Sequence, residues 1–211
     1  YIMGEEDGSF DETDYILFYG TKHRDSTEFI NPYTDRNVYW LSWGGENGKR
    51  FENYDSSVKN GVAADYFRKI QHIEQDILYN PGDVDEDVRI TETVPGEGWY
   101  WIGFLPGQTV NFSMNLMGLV NVGDKPKIKL KFRGLTEGNH HLKIKINNVD
   151  IGDVKFDGRG YYSPEFIVEK GIMIGGDNIL NISNILPVGE RDVVYFDWME
   201  VTYSRSYSAF E

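Results

Sequence analysis

The chain has 211 residues, 40% of them hydrophobic and 15% aromatic, a composition that excludes a disordered chain and supplies an ample core. Its net charge of −13 and pI of about 4.7 argue against general binding to nucleic acid or to an anionic membrane. Because the chain has no cysteine, disulfides, thiolate metal sites and a cysteine nucleophile are excluded, and no apolar run approaches the ~20 residues that a membrane-spanning helix needs.

The first part of the chain predicts short aromatic strands. The stretches DYILFYG (residues 14–20) and NVYWLSWG (37–44) are rich in aromatic residues and are bounded by Gly, Asn and Asp. The one candidate helix, YDSSVKNGVAADYFRKI (54–70), has a glycine in its middle. The sequence opens inside an apparent strand, YIMGEEDGSF, so we expect residues 1–69 to be a partial β-domain and connector within a longer protein.

The rest of the chain predicts a jelly-roll-like antiparallel β-sandwich over residues 70–204, followed at 205–211 by the start of a linker to a downstream region. PKIKLKFRGL (126–135) and HLKIKINN (141–148) alternate apolar residues with lysines, as strands with one buried and one solvated face do. Their lysines form either a charged solvated face or a partner surface. Two asparagines at 147–148 predict a hairpin turn. The residues expected in the core are Ile128, Leu130, Phe132, Leu142, Ile144 and Ile146.

A candidate metal site joins the two ends of the sandwich. Glu74 and Asp76 alternate by two in the opening stretch IQHIEQDILY, so both side chains project from the same face of one strand. Asp197 stands inside the closing strand VVYFDWMEV, and the first and last strands of a jelly roll can lie side by side. Carboxylates brought together in this way repel one another unless a hard cation binds them. The pattern therefore predicts a structural calcium ion held by Glu74, Asp76 and Asp197.

Asp197 has an alternative explanation that needs no metal. A carboxylate inside an apolar, aromatic strand is costly unless something pairs with it. A nearby backbone amide, Arg191 or Arg205 would supply that partner. The sequence leaves the calcium ion and this ordinary pairing open.

The stretch GEGWYWIG, residues 96–103, predicts either a binding surface or part of the core. In an alternating strand, Trp99 and Trp101 would lie on one face and Tyr100 on the other. Exposed aromatic faces stack on sugar rings, so these residues are candidates for a carbohydrate- or peptide-binding surface. Tryptophan is highly buried on average, and the alternative is that the rings fill the core.

No catalytic motif is present in the sequence. The four histidines come without a G-x-S-x-G or an H-E-x-x-H pattern, and we expect the chain to be non-enzymatic. A glycosidase that uses a pair of carboxylates stays as an alternative, because acidic residues are plentiful and their separation is a three-dimensional property.

Several stretches together resemble a known family. DYILFYG, NPYTDRNVYWLSWG, HIEQDILYNPG, GEGWYW and DVVYFDWMEVTYSR are similar to the region ahead of the catalytic domain in gingipain-type cysteine peptidases, including type IX secretion sortase relatives. The resemblance implies a secreted or cell-surface bacterial precursor, in which this chain is a non-catalytic, propeptide-like structural module that contacts other domains of the same polypeptide. The catalytic cysteine and histidine of the family would lie downstream, and no catalytic residue maps onto this chain.

Residues 70–204 alone also resemble calcium-dependent jelly-roll carbohydrate-binding modules. Such modules often open with an E-x-E strand and close with an Asp-bearing strand. This chain has Glu74, Gln75 and Asp76 in the opening strand and Asp197 in the closing one. The resemblance implies structural calcium and a surface glycan as ligand, although the sugar-binding side chains of these modules do not map onto this sequence.

Overall fold

The chain divides into two compact units, Tyr1–Val62 and Ala63–Glu211. The computed structural model describes residues 2–3, 7–21, 34, 36–42, 44, 64–80 and 98–207. These residues form strands, turns and irregular segments without a helix, and the predicted all-β class is confirmed. It follows that the described segments include no helix of the length and apolarity needed to cross a membrane.

The N-terminal unit contains two short antiparallel strands, β1 (Ile2–Met3) and β2 (Tyr15–Ile16). The prediction of a strand over 37–44 is wrong for 37–42, which carry no strand. There the hydrogen bonds involve side chains: the Thr21 amide donates to the Tyr39 hydroxyl at 2.6 Å, and the Asn37 amide group donates to the Thr21 carbonyl at 3.1 Å. An aromatic composition favours a strand only where a backbone ladder partner is present.

The second unit is an antiparallel β-sandwich. Its strands, numbered in chain order, are β3 (Tyr66–Glu74), β4 (Leu78–Tyr79), β5 (Trp99–Tyr100), β6 (Ile102–Phe104), β7 (Thr109–Leu116), β8 (Lys127–Gly134), β9 (Asn139–Ile146), β10 (Val149–Asp157), β11 (Gly160–Tyr162), β12 (Glu165–Ile167), β13 (Gly176–Asn184) and β14 (Val194–Ser206). A six-stranded sheet has the order β11-β8-β14-β3, with β12 beside β8 and β6 beside β14. A four-stranded sheet has the order β10-β9-β13-β7, and β4 pairs with β5.

The opening strand β3 and the closing strand β14 are direct neighbours. They pair antiparallel along the whole of β3, from Tyr66 opposite Ser206 to Glu74 opposite Trp198. The prediction of a helix over 54–70 is therefore wrong for Tyr66–Ile70, because ladder bonds to a distant strand override a weak local helix propensity. Residues 54–63 lie outside the described part of the chain.

The predicted hairpin at Asn147 and Asn148 is confirmed. Both residues have positive φ, 49° and 66°, which is the backbone conformation of a tight two-residue turn between β9 and β10. The Asn147 side chain also donates to the carbonyl of Ile172 and to the side-chain oxygen of Asn178, both at 2.8 Å. The turn is thus anchored to the loop that precedes β13.

The core lies between the two main sheets and contains the six predicted residues. All of them are fully buried: Ile128, Leu130, Phe132, Leu142, Ile144 and Ile146. They pack with aromatic residues of other strands, including Phe112 and Phe196, whose ring centroids are 4.8 Å apart. Period-two alternation therefore assigned the buried face of β8 and β9 correctly.

Two of the predicted solvent-facing lysines of these strands are paired with acidic residues of neighbouring strands. Lys127 lies 2.8 Å from Glu165 of β12, and Lys143 lies 2.6 Å from Asp150 of β10. The hydrogen bond from Lys127 lowers the pKa of Glu165, and the bond from Lys143 lowers the pKa of Asp150. Exposed pairs of this kind add little stability, but they neutralise part of the row of lysines.

Candidate functional site

Asp197 lies in a β-bulge of β14. Phe196 pairs with Phe132 and Met199 pairs with Leu130, so Asp197 and its neighbour Trp198 together stand opposite a single residue of β8. Alternation from the buried Phe196 places Asp197 on the outer face of the six-stranded sheet, and the extra residue lets Trp198 share that face before Met199 returns to the core. Asp197 is nevertheless only 5% exposed, because other side chains cover it.

The residue opposite the bulge, Lys131, is the partner of Asp197. The ammonium nitrogen of Lys131 is 2.9 Å from Asp197 Oδ2. It also lies 4.8 Å from the ring centroid of Tyr161 and 5.8 Å from that of Trp198, within the range of cation–π attraction. Asp197 therefore pairs with a lysine of β8, whereas the metal-free alternative named a backbone amide or an arginine.

Glu74 completes the polar centre of this face. It pairs with Trp198 across the β3–β14 ladder, and its side chain is 2% exposed. Glu74 Oε2 lies 2.8 Å from His72 Nε2, and the His72 ring packs at 5.0 Å on Trp198. The structure thus brings Glu74 and Asp197 together on adjacent strands, as the sequence predicted for the ends of the sandwich.

One oxygen of each of these two carboxylates lacks a hydrogen-bond partner in the described part of the chain. Glu74 Oε1 and Asp197 Oδ1 are buried and have no hydrogen-bond partner among the residues that the structure describes. Burial raises the pKa of the Asp197 carboxyl above its usual range, the ammonium of Lys131 opposes this rise, and the negative charge of Glu74 adds to it. An unsatisfied buried carboxylate oxygen is unfavourable, so the centre has unused capacity for a donor or a cation.

Asp76, the third residue of the predicted calcium site, lies two residues beyond the end of β3 and is partly buried. Among the described residues, no group of three or more His, Asp or Glu side chains is close enough to hold a metal ion. Two of the three predicted ligands are therefore adjacent, and the calcium ion itself stays a prediction.

The residues of the WYW stretch are distributed among different surroundings. Trp101 packs edge-on against Phe112 at 4.8 Å and joins the core. Tyr100 is buried, and its hydroxyl accepts a hydrogen bond from Arg133 at 2.7 Å. Trp99 is partly exposed and packs against Tyr79 of β4 at 4.8 Å. The three rings do not form one platform, and their role in ligand binding stays a prediction.

A second buried polar cluster was not found from the sequence. His140 is fully buried, with Nδ1 hydrogen-bonded to Asp192 and Nε2 2.9 Å from the carbonyl oxygen of Gly158. The other oxygen of Asp192 accepts a hydrogen bond from Asn184 at 2.6 Å. The cluster connects β9 and β13 with two loops, and its only signal in the sequence is a histidine at an inward position of β9.

Comparison with known proteins gives no family. No protein-family model and no curated protein matches the chain. Among solved structures, dimeric latent PorU from Porphyromonas gingivalis is 14% identical with a TM-score of 0.48, over 68% of this chain and 13% of PorU. The chain thus corresponds to a small part of that protein's length.

Two carbohydrate-binding modules are also similar in structure. A CBM36 module in complex with calcium and xylotriose is 16% identical with a TM-score of 0.38, over 52% of this chain and 84% of the module. A family 35 module from Clostridium thermocellum is 12% identical with a TM-score of 0.36, over 67% of this chain and 92% of the module. At these values the similarity extends to a β-rich fold and identifies no function.

Proposed function

We propose that the sandwich is a non-catalytic structural module of a larger secreted or cell-surface protein, a propeptide-like region of a gingipain-type cysteine peptidase precursor. The observation that carries this proposal is that buried carboxylates are paired with basic side chains of other elements of the fold. Asp197 binds Lys131 of the neighbouring strand and Asp192 binds His140, so these carboxylates connect elements of the fold. The family rests on the sequence resemblance given above. The module would position or shield a neighbouring domain of the same polypeptide.

The purified chain should turn over neither peptides nor polysaccharides. The measurement is hydrolysis of fluorogenic peptides and release of reducing sugar from plant and bacterial glycans, with trypsin and a glucanase as positive controls. A specific activity that persists through successive purification steps and disappears when one acidic pair is replaced by amides would contradict the proposal.

Calcium binding is the second element of the proposed function. We propose that Glu74, Asp76 and Asp197 bind a structural calcium ion, which would satisfy the buried oxygens of Glu74 and Asp197 that no described residue contacts by a hydrogen bond. Calcium takes six to eight oxygen ligands in flexible geometry, so backbone carbonyls or water would complete the shell. An all-carboxylate donor set favours calcium over zinc. Bound between β3 and β14, the ion would hold the first and last strands of the sandwich together.

Calcium should raise the melting temperature of the chain relative to chelator. A ligand that binds only the folded state stabilises it by about 2.7 kcal/mol at a hundredfold excess over Kd. For a chain of this size that is a shift of roughly 5 to 10 °C. The measurement is calorimetry of the full chain in EDTA and in millimolar calcium chloride. The shift should be lost in Asp197→Asn and kept in Asp153→Asn, which alters an exposed carboxylate; an unchanged wild-type midpoint would refute the calcium proposal.

A carbohydrate-binding module is the second candidate function. The observation that favours it is the pair of rings Tyr79 and Trp99 on adjacent strands, with Tyr79 55% exposed. Aromatic pairs at a surface stack on sugars. Retardation of the chain in native gels that contain a polysaccharide, lost in Trp99→Ala and kept in Tyr207→Ala, would favour this candidate over the first.

A further inference from the structure

We propose that the ammonium group of Lys131 serves as a built-in cation at the Glu74–Asp197 centre and competes with calcium for Asp197. This inference rests on the proposed calcium site. It identifies the side chain that sets the calcium affinity. It also states how the centre is stabilised when calcium is scarce.

Within the described ranges, each of the two carboxylates is engaged through one oxygen. Asp197 Oδ2 is 2.9 Å from the ammonium of Lys131, and Glu74 Oε2 is 2.8 Å from His72. Asp197 Oδ1 and Glu74 Oε1 are buried without a hydrogen bond from any described residue. The side chains of Asp197 and Glu74 are 6% and 2% exposed, so water screens their charges poorly. The ammonium of Lys131 contacts one of the two buried carboxylates, Asp197, whereas the described partner of the other, Glu74, is the His72 ring.

Other side chains hold the lysine in place. Tyr161 and Trp198 present their rings to the ammonium from opposite neighbouring strands, β11 and β14. The Lys131 side chain is 20% exposed, compared with 39% for Lys127 on the same face of β8. Strand register fixes the Lys131 backbone opposite the bulge, so the ammonium lies beside Asp197 when no metal is bound.

A divalent ion that binds the same carboxylate must displace the ammonium of Lys131. Calcium bound to Asp197 would place two positive charges close together in a poorly screened site, and their repulsion weakens binding. The ammonium must then leave Asp197 and its aromatic neighbours. We therefore expect calcium to bind the wild type more weakly than a variant that has no charge at position 131.

The test is calorimetric titration of calcium chloride into the EDTA-treated and dialysed full chain at neutral pH. Lys131→Met should bind calcium about tenfold more tightly than the wild type, a change of about 1.4 kcal/mol. Lys131→Arg, which keeps the charge, should bind like the wild type. Lys127→Met is the matched control on the same strand and face, where the lysine is paired with Glu165, and its affinity should be unchanged.

A second measurement separates the role of Lys131 from the existence of the site. In EDTA, Lys131→Met should have a lower melting temperature than the wild type because Asp197 loses its counter-charge. In saturating calcium, the variant should have the higher melting temperature. Calcium binding of equal affinity in the wild type and in Lys131→Met would overturn the competition and leave the calcium site standing. Binding to neither would refute the calcium site and this inference with it. If Lys131→Met does not fold, Lys131→Gln takes its place in both measurements with the same expectations.

Discussion

Replacement of His140 by alanine should lower the free energy of unfolding by about 3 to 5 kcal/mol, whereas replacement of its neighbour His141 should lower it by less than about 1 kcal/mol. The two histidines are adjacent in sequence and sit on opposite faces of β9. His140 is 1% exposed, and the His141 side chain is 25% exposed. The pair therefore compares a buried and an exposed imidazole within one strand.

The large effect at His140 is expected because the substitution leaves buried polar atoms without the imidazole ring that contacts them. Its removal deprives the buried carboxylate of Asp192 and the carbonyl oxygen of Gly158 of the imidazole nitrogens that contact them. Asn184 would still donate to the other oxygen of Asp192, but Oδ1 would keep only a 3.5 Å contact with the Thr136 hydroxyl. His141 pairs with Asp153 at 2.9 Å, and both side chains contact solvent, so water replaces the lost interaction.

The measurement is urea denaturation of the wild type and both variants, with midpoints compared at constant m-value. Asp192→Ala should reproduce the effect of His140→Ala, since it removes the other half of the same buried pair. Equal and small effects at positions 140 and 141 would contradict the described burial of His140.

Replacement of Ile144 by alanine should destabilise the chain by about 2 to 5 kcal/mol, because it opens a cavity in a core that cannot fully collapse around it. Ile144 is fully buried on β9, between the two main sheets. The matched control is Ile179→Ala on the neighbouring strand β13, where the side chain is 40% exposed. That substitution should lower the free energy of unfolding clearly less, since removing an exposed side chain loses little transfer free energy. Equal costs at the two positions, measured by the same denaturation, would contradict the register of β9.

The parts of the fold that the sequence predicted are those encoded locally. Alternation of apolar residues with lysines identified the buried face of β8 and β9 because side chains alternate across a strand. Asn147 and Asn148 identified the hairpin because asparagine tolerates the positive φ of the turn. Neither feature depends on which distant strand is the partner.

The parts that escaped prediction depend on pairing between distant segments. Tyr66–Ile70 became a strand because β14, more than a hundred residues away, supplies its ladder partner. Lys131 was not recognised as the partner of Asp197 because the bulge at Asp197 and Trp198 is a property of the register between β8 and β14. The adjacency of Glu74 and Asp197 was predicted from the order of strands in a jelly roll, and it holds without any knowledge of the bulge.

The network of His140 and Asp192 shows the same limit. Its members lie in β9, in β13 and in two loops, and no spacing in the sequence relates them. A polar residue at an inward position of a strand was the available signal, since a buried polar group needs a partner. The partner itself required the structure.

The most direct test of the central claim, that Glu74 and Asp197 form one cation-binding centre between the opening and closing strands, is a crystal structure of the full chain grown in millimolar calcium. We predict the two carboxylates side by side on the outer face of the six-stranded sheet. We also predict a calcium ion at roughly 2.3 to 2.6 Å from Glu74 Oε1 and Asp197 Oδ1, with the ammonium of Lys131 displaced from Asp197. Well-ordered Glu74 and Asp197 side chains that point to separate environments, with no ion between them, would contradict it.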